Sequence, residues 1–473
     1  MTLDRGALLL PVGLSLLIGG LMIVGGAPLA MVAVVGLAVA VAIVTKPLRG
    51  LLLFALLAPA VPWMKAGPLP LPEALLVLTW GGVAIQWLAG RMPTWPRGRT
   101  ERLLGWLIVW TLVPLVAGEL RPEGDGIGPL NWARWVLNVS PVFLLPLLVR
   151  DEQARERLML ALLAGFGILL VITLGFFAVS RDPGRMTAFL ASLNYPHPEA
   201  IQDIFYADPS RMPSPWIHPN STGGALLLAA PLGIFYAAIH TGWRRWLGGF
   251  VFVAGAAGIV FSGSRGALLC LGVFVAWLAW RKTPYAGRGL ILAALLAMSL
   301  LVVYPPAQKR FASLFSSNDV STGVRFDEYT HFPGNVLKHP LGLGFKAETP
   351  ASSPEKGVYG ISNLWLNYWF RLGLPGMLLF IAITRAWWRE VRLPGDFRQI
   401  GRHNALRIAT TGTVLAALAT GFIDHYFSFT QVLISLFWLI LAMGLMLARV
   451  PQPVPTDATP SRPNAPEPRL NRP

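Results

Sequence analysis

Of the 473 residues, 54% are hydrophobic and only 13% charged, against roughly 25% charged residues in a soluble domain. That is too little charge to cover a water-facing surface, so a soluble globular protein is excluded. The net charge of +16 would suit a nucleic-acid binder. The Lys and Arg residues instead fall between apolar runs, as in the cytoplasmic loops of membrane proteins, and no nucleic-acid partner is expected.

Runs of about 17–20 apolar residues recur along the chain, each long enough to cross roughly 30 Å of hydrocarbon. Backbone polar groups find no water there, so the spans are helices or a closed barrel. The runs lack the alternation of barrel strands. The expected fold is therefore all-α, a polytopic transmembrane helix bundle of about 12–14 spans. In chain order the runs centre near Ser15, Val35, Ala55, Val77, Trp110, Leu137, Leu169, Leu228, Gly255, Val275, Leu295, Leu379, Leu415 and Trp438. The opening run, from Ala7 to Val24, reads as a first membrane helix rather than a signal peptide. It has no small-residue cleavage site followed by soluble sequence, and a second span follows closely. Cys270, the single cysteine, lies within an apolar run, so no disulfide forms within the chain.

With the N-terminus taken as cytoplasmic, the inside loops carry Lys46 and Arg49, then Arg91 to Arg102, Arg150 to Arg157, Arg244 and Arg245, Arg281 to Arg288, and Arg385 to Arg402. Short outside loops hold little positive charge, which fixes the register of the spans. Two larger periplasmic loops result, 180–219 and 305–361. They separate N-terminal helices (1–179), central helices (220–304) and C-terminal helices (362–449) from a proline-rich tail (450–473), expected to be disordered and cytoplasmic. Loops this long between spans are functional or disordered. Here Tyr, Trp, Phe and Pro interleave with the charges, which argues for folded structure. No internal repeat, Walker sequence or metal-ligand pair of histidines is present.

Three constellations could carry chemistry. Around Arg211-Met212-Pro213 and His218-Pro219-Asn220, a helix start is signalled, and its N-terminus adds positive potential beside Arg211. In Ser262-Gly263-Ser264-Arg265-Gly266, Arg265 sits where two helices meet with no acidic residue near in sequence. An arginine at membrane depth costs about 2.5 kcal/mol or more unless paired or hydrated. It is either a side chain snorkelling to headgroups or a bidentate anion clamp, approached closely because Ser264 and the glycines are small. The third runs from Ser321-Thr322-Gly323-Val324-Arg325 through His339-Pro340-Leu341-Gly342-Leu343-Gly344 to Ser362-Asn363-Leu364-Trp365 and Arg371-Leu372-Gly373-Leu374-Pro375-Gly376. Its pieces are turn and helix-start signals.

Taken in order, RMP…HPN, SGSRGALL, STGVR, HPLGLG and NLWLNYWFRLGLPG resemble the signature of the O-antigen ligase and polymerase superfamily, over about Arg211 to Gly376. The resemblance implies a membrane-embedded glycosyltransferase that moves a glycan from an undecaprenyl-pyrophosphate carrier to an acceptor in the periplasm. It needs no cofactor and no metal. Arg211, Arg265 and Arg325 would bind the pyrophosphate, with Asn220, Ser264 and Asn363 as further substrate contacts. Partners would be the lipid-linked donor, an acceptor glycan, lipid A core or protein, membrane lipids and a chain-length regulator. Ligases of the family carry a histidine, thought to be the general base, directly before the asparagine that is Asn363 here. This chain has Ser362, which takes up no proton at neutral pH without another base. The polymerase branch therefore fits better, and His218, His331 or the Asp424-His425 pair could replace the base. A flippase or exporter would need polar groups through many spans, whereas the ionisable groups gather at one face. No D-x-D pair supports a metal-dependent oligosaccharyltransferase.

Overall fold

The computed structural model describes residues 31, 33–92, 95, 98–121, 127–207, 210–289, 320–346, 361–398 and 401–450, with isolated positions 291, 295, 302 and 308. The expected first span at Ala7–Val24 lies outside the described residues. So do most of the span around Leu295, much of the second long loop, and the tail beyond Val450.

The protein is an all-α, polytopic membrane bundle. Among the described residues its strands amount to a two-residue hairpin, Lys65–Ala66 paired with Leu69–Pro70. Among the described residues, six helical segments are long and apolar enough to cross a membrane: Leu71–Leu88 (α3), Arg99–Glu119 (α4 and α5), Glu152–Val179 (α8), Pro219–Ile239 (α11), Gly242–Ser262 (α12) and Leu364–Val391 (α15). Ala33–Thr45 (α1), Leu48–Ala60 (α2), Arg265–Trp280 (α13) and Leu433–Arg449 (α18) are apolar but shorter. The run around Leu137 divides at Ser140 into Gly128–Val139 (α6) and Pro141–Leu148 (α7). Pro141 has no N–H to continue the ladder of hydrogen bonds. The remaining described helices are Pro183–Ser192 (α9), Ala200–Ala207 (α10), Val320–Lys338 (α14), Arg402–Thr420 (α16) and Tyr426–Phe429 (α17).

Helix α11 forms the centre, with 78% of its apolar window buried, against 39% for α3 and α12. It packs on α12, α16, α8 and α13. Outer helices leave large apolar side chains such as Val77, Ile85, Val171, Val253 and Leu269 exposed, which suits lipid and not water. A buried charge is paired: Glu73, fully buried, accepts from Arg134 Nε at 2.8 Å and from Asn138 Nδ2 at 2.8 Å, as the cost of a lone buried charge demands.

The two ends of the bundle differ. At one end Glu156 accepts from Tyr236 and Arg244 and pairs with His240 and Arg402. Arg449 bridges Glu101 and Glu390, and Arg281 holds the Leu393 carbonyl at 2.6 Å. Exposed Trp87, Trp243, Trp246 and Trp280 ring this basic end, where amphipathic indoles settle at a membrane interface. The opposite end holds the starts of α11, α13 and α15.

Two glycine motifs explain each other. Gly373, with φ 70°, interrupts α15 just before Pro375. The freed carbonyls of Phe370 and Arg371 accept from Leu343 N and Gly344 N, both at 2.9 Å. Gly342 (φ 88°) lies so close that a Cβ would stand 2.4 Å from the Arg371 carbonyl oxygen. HPLGLG is thus a backbone plug seated in the kink of RLGLPG.

Candidate active site

The apolar run of α12 stops at Ser262, and Gly263 takes the left-handed conformation (φ 66°) that ends a helix. Ser264 then caps α13, its Oγ accepting from Ala267 N at 3.4 Å. This makes Arg265 the first residue of α13, half-buried at the rim. The segment carrying Arg211 lies across this turn. Met212 N donates to the Phe261 carbonyl at 2.9 Å, and Arg211 Nε to the Ser262 carbonyl at 2.9 Å. At Gly223 a Cβ would come within 2.5 Å of Ser264 Cβ, so only glycine lets α11 start against the turn.

Arg211 also reaches forward. Its Nη2 donates to Asn220 Oδ1 at 3.3 Å, while Asn220 Nδ2 donates to Asp424 Oδ2 at 3.0 Å. Asp424 stands in the turn after α16. Its Oδ2 is 3.9 Å from Arg325 Nη2, and its Oδ1 accepts from His425 N at 2.8 Å, with His425 Nδ1 at 3.6 Å. One polar chain, Arg211–Asn220–Asp424–Arg325, therefore joins α11, the turn after α16 and α14, segments far apart in sequence.

Helix α14 brings a second set. Arg325, Glu328 and Tyr329 stand at i, i+3 and i+4, one face of a helix. Ser362 N donates to Glu328 Oε2 at 2.8 Å, and Asn363 Nδ2 to the Tyr329 hydroxyl at 3.1 Å. Asn363 Oδ1 accepts from Trp365 N and Leu366 N, both at 3.0 Å, and so caps α15. Leu364 N donates to the Gly421 carbonyl, tying α15 to the turn that holds Asp424. Glu328 is only 4% exposed. Neither Glu328 nor Tyr329 is picked out by the sequence motifs; their spacing from Arg325 is the signal that could have found them.

Of the residues expected from sequence, Arg211, Asn220, Asp424, His425 and Arg325 thus meet in one network, with His218, Ser264 and Arg265 on the elements beside it. Ser362 and Asn363 join through α14. His331 is exposed, and its Nδ1 bonds the Asp327 carbonyl of its own helix at 2.8 Å. His218 caps α11, its Nδ1 accepting from Asn220 N at 3.2 Å. That bond leaves the ring proton on Nε2, so the neutral ring presents a donor outward. His218 touches solvent yet is crowded by protein, as in a recess, and this crowding pushes its pKa below the usual histidine range. Asp424 opposes the shift, and Arg211 and His425 add to it. Among the described residues no three His, Cys, Asp or Glu side chains gather as a metal site would require.

The geometry defines a multi-pass membrane protein with a cation-rich polar site at one end of its helices. Residues 250–381 match the family model described as O-antigen ligase, a match that supports the O-antigen ligase and polymerase superfamily and glycan transfer as the general class of activity. The matched segment takes in the second half of α12, the Arg265 turn, Arg325, Glu328 and the start of α15. No curated protein matches the sequence.

Proposed function

We propose that this protein transfers a glycan from an undecaprenyl-pyrophosphate carrier to an acceptor glycan, without a metal, as an O-antigen or exopolysaccharide polymerase of the bacterial inner membrane. The observation that carries the reading is the network uniting Arg211, Asn220, Asp424 and Arg325 beside the Arg265 turn. Three helix N-termini, those of α11, α13 and α15, add positive potential at the same end. The opposite end is basic and ringed by tryptophan, which supports a cytoplasmic assignment for it and a periplasmic one for the site. The C-terminal tail then follows α18 into the cytoplasm.

In this reading the arginines grip the pyrophosphate oxygens. An acceptor hydroxyl attacks the anomeric carbon, and the C–O bond to the pyrophosphate breaks with its electron pair going to the leaving group. Negative charge grows there as the bond lengthens, so fixed guanidinium groups bind the transition state more tightly than the ground state. They supply the charge that magnesium provides in many sugar transferases, and they do so at any physiological pH. A chain-length regulator would be a partner of a polymerase.

A second reading, transfer to lipid A core or protein, is supported by the matched family being that of O-antigen ligases. Ser362 in place of the ligase histidine favours the polymerase. The deciding experiment is glycan analysis of a deletion strain. Loss of long chains with single units still attached is the expected result, whereas loss of all attached glycan would establish the ligase. Purified protein in liposomes, given undecaprenyl-pyrophosphate oligosaccharide, should turn over equally with and without EDTA. Turnover that stops with EDTA and returns with magnesium would end the metal-free part of the proposal.

A further inference from the structure

We infer that Glu328 is the catalytic base that takes the proton of the acceptor hydroxyl; the inference rests on the transfer reading above. Attack by a hydroxyl releases a proton, and a general base must stand within hydrogen-bond reach of it. The other candidates are occupied or misplaced. His218 has its Nδ1 lone pair on Asn220 N–H. Asp424 is held by Asn220, Arg325 and His425 N–H. His331 is exposed, and its Nδ1 is engaged by the Asp327 carbonyl.

Glu328 differs from all three. It is nearly out of solvent, and among the described residues its carboxylate receives one hydrogen bond, from the neutral Ser362 N–H, with no cation at ion-pair distance. A buried carboxylate is costly unless paired or put to use. Its place on α14 is one turn from Arg325, which faces the proposed pyrophosphate site through Asp424, and beside Tyr329, whose hydroxyl meets Asn363. Clamp and base therefore share one rigid helix face, the leaving group at one position and the acceptor at the next. The step balances: the acceptor O–H bond breaks with its proton going to Glu328, the acceptor oxygen bonds the anomeric carbon, and pyrophosphate departs with the C–O electron pair. Glu328 then returns the proton to water.

Among the described residues, the titratable groups near Glu328 are Arg325, Asp327, Tyr329 and His331 on its own helix, with Asp424 and His425 from the turn after α16. The start of α15, packed against it, offers Ser362 and Asn363 and no charge.

The test uses the full-length protein in liposomes with the undecaprenyl-pyrophosphate oligosaccharide, measuring transfer rate against pH and, separately, donor binding. Glu328→Gln keeps the size of the side chain and an oxygen for Ser362 N–H. It should slow transfer by about 10²-fold or more, bind donor as the wild type does, and lose the acid limb of the rate profile. Because the Ser362 backbone touches Glu328, a histidine at 362 reaches the same space. Glu328→Gln combined with Ser362→His should regain at least tenfold in rate, with an acid limb near the histidine range of about 6.5. A Glu328→Gln protein with wild-type rate and profile would overturn the inference. So would a slow one that binds donor poorly and gains nothing from Ser362→His, since that is the behaviour of a structural residue. Wild-type protein that binds donor and transfers nothing would instead bring down the transfer reading itself, whatever the variants did.

Discussion

Arg265 opens α13 directly after a capped turn, so its backbone is fixed by Gly263 and Ser264 and its side chain stands half-buried at the rim. If it clamps the leaving pyrophosphate, the planar fork counts as well as the charge. Arg265→Ala should then cost about 2.7–4 kcal/mol of barrier, roughly 10²–10³ in rate, and Arg265→Lys should recover little of it. Expression of both variants should match the wild type, because a half-buried side chain at a helix start adds little to packing. Comparing product and expression for the two decides between clamp and snorkel: full activity with lysine means a snorkelling side chain. His218 makes a different kind of prediction. Its pKa is lowered in the fold, so the unfolded chain takes up a proton first as the solution is acidified. The stability His218 contributes is present above the ordinary histidine value, about 6.5. It is lost as pH falls from there to the depressed folded value, below which the loss stops growing. Thermal denaturation at pH 7.5 and 5.5 should show a larger drop for the wild type than for His218→Gln. Equal drops would mean that His218 titrates normally.

At the scale of elements, the described parts of the segments between helices are organised by contacts that their composition only hints at. The HPLGLG loop is held by backbone bonds to the kink of α15, and the kink in turn needs Gly373 free of helical geometry. Gly342→Ala puts a side chain at positive φ and against a carbonyl oxygen, and should cost about 1–3 kcal/mol and lower the melting temperature. Gly334, exposed on α14 with open space where a Cβ would go, provides the control. Gly334→Ala should be neutral or slightly stabilising, since alanine favours helix. Equal melting temperatures for the two variants would remove the plug-and-kink account. The same elements explain why α14 can serve the site. Tyr329 and Glu328 bind the residues that open α15, so the helix bearing Arg325 is fixed to the helix that follows it.

At the scale of the whole molecule, the all-α membrane fold was legible from composition and spacing alone, because lipid admits few solutions to the backbone's need for hydrogen bonds. The basic loops and the turn signals were legible for the same local reasons: charge avoids hydrocarbon, and Gly, Ser, Asn and Pro each end or begin a helix by their own geometry. HPN was visible as a helix start and SGSR as the meeting of two helices, and the structure has a helix start at the one and a turn between two helices at the other. What a neighbouring residue in space does was not legible. Asn220 and Asp424 are 204 positions apart, and no periodicity in either segment announces that they meet. Splitting of the run around Leu137 into two helices also needed the structure, since hydropathy averages over a break that costs one hydrogen bond. Glu328 shows the division most clearly. Its spacing from Arg325 could be read from the chain. That it lies buried against Ser362 follows only from how α14 and α15 pack, because burial and partnership depend on tertiary contacts that local sequence does not encode.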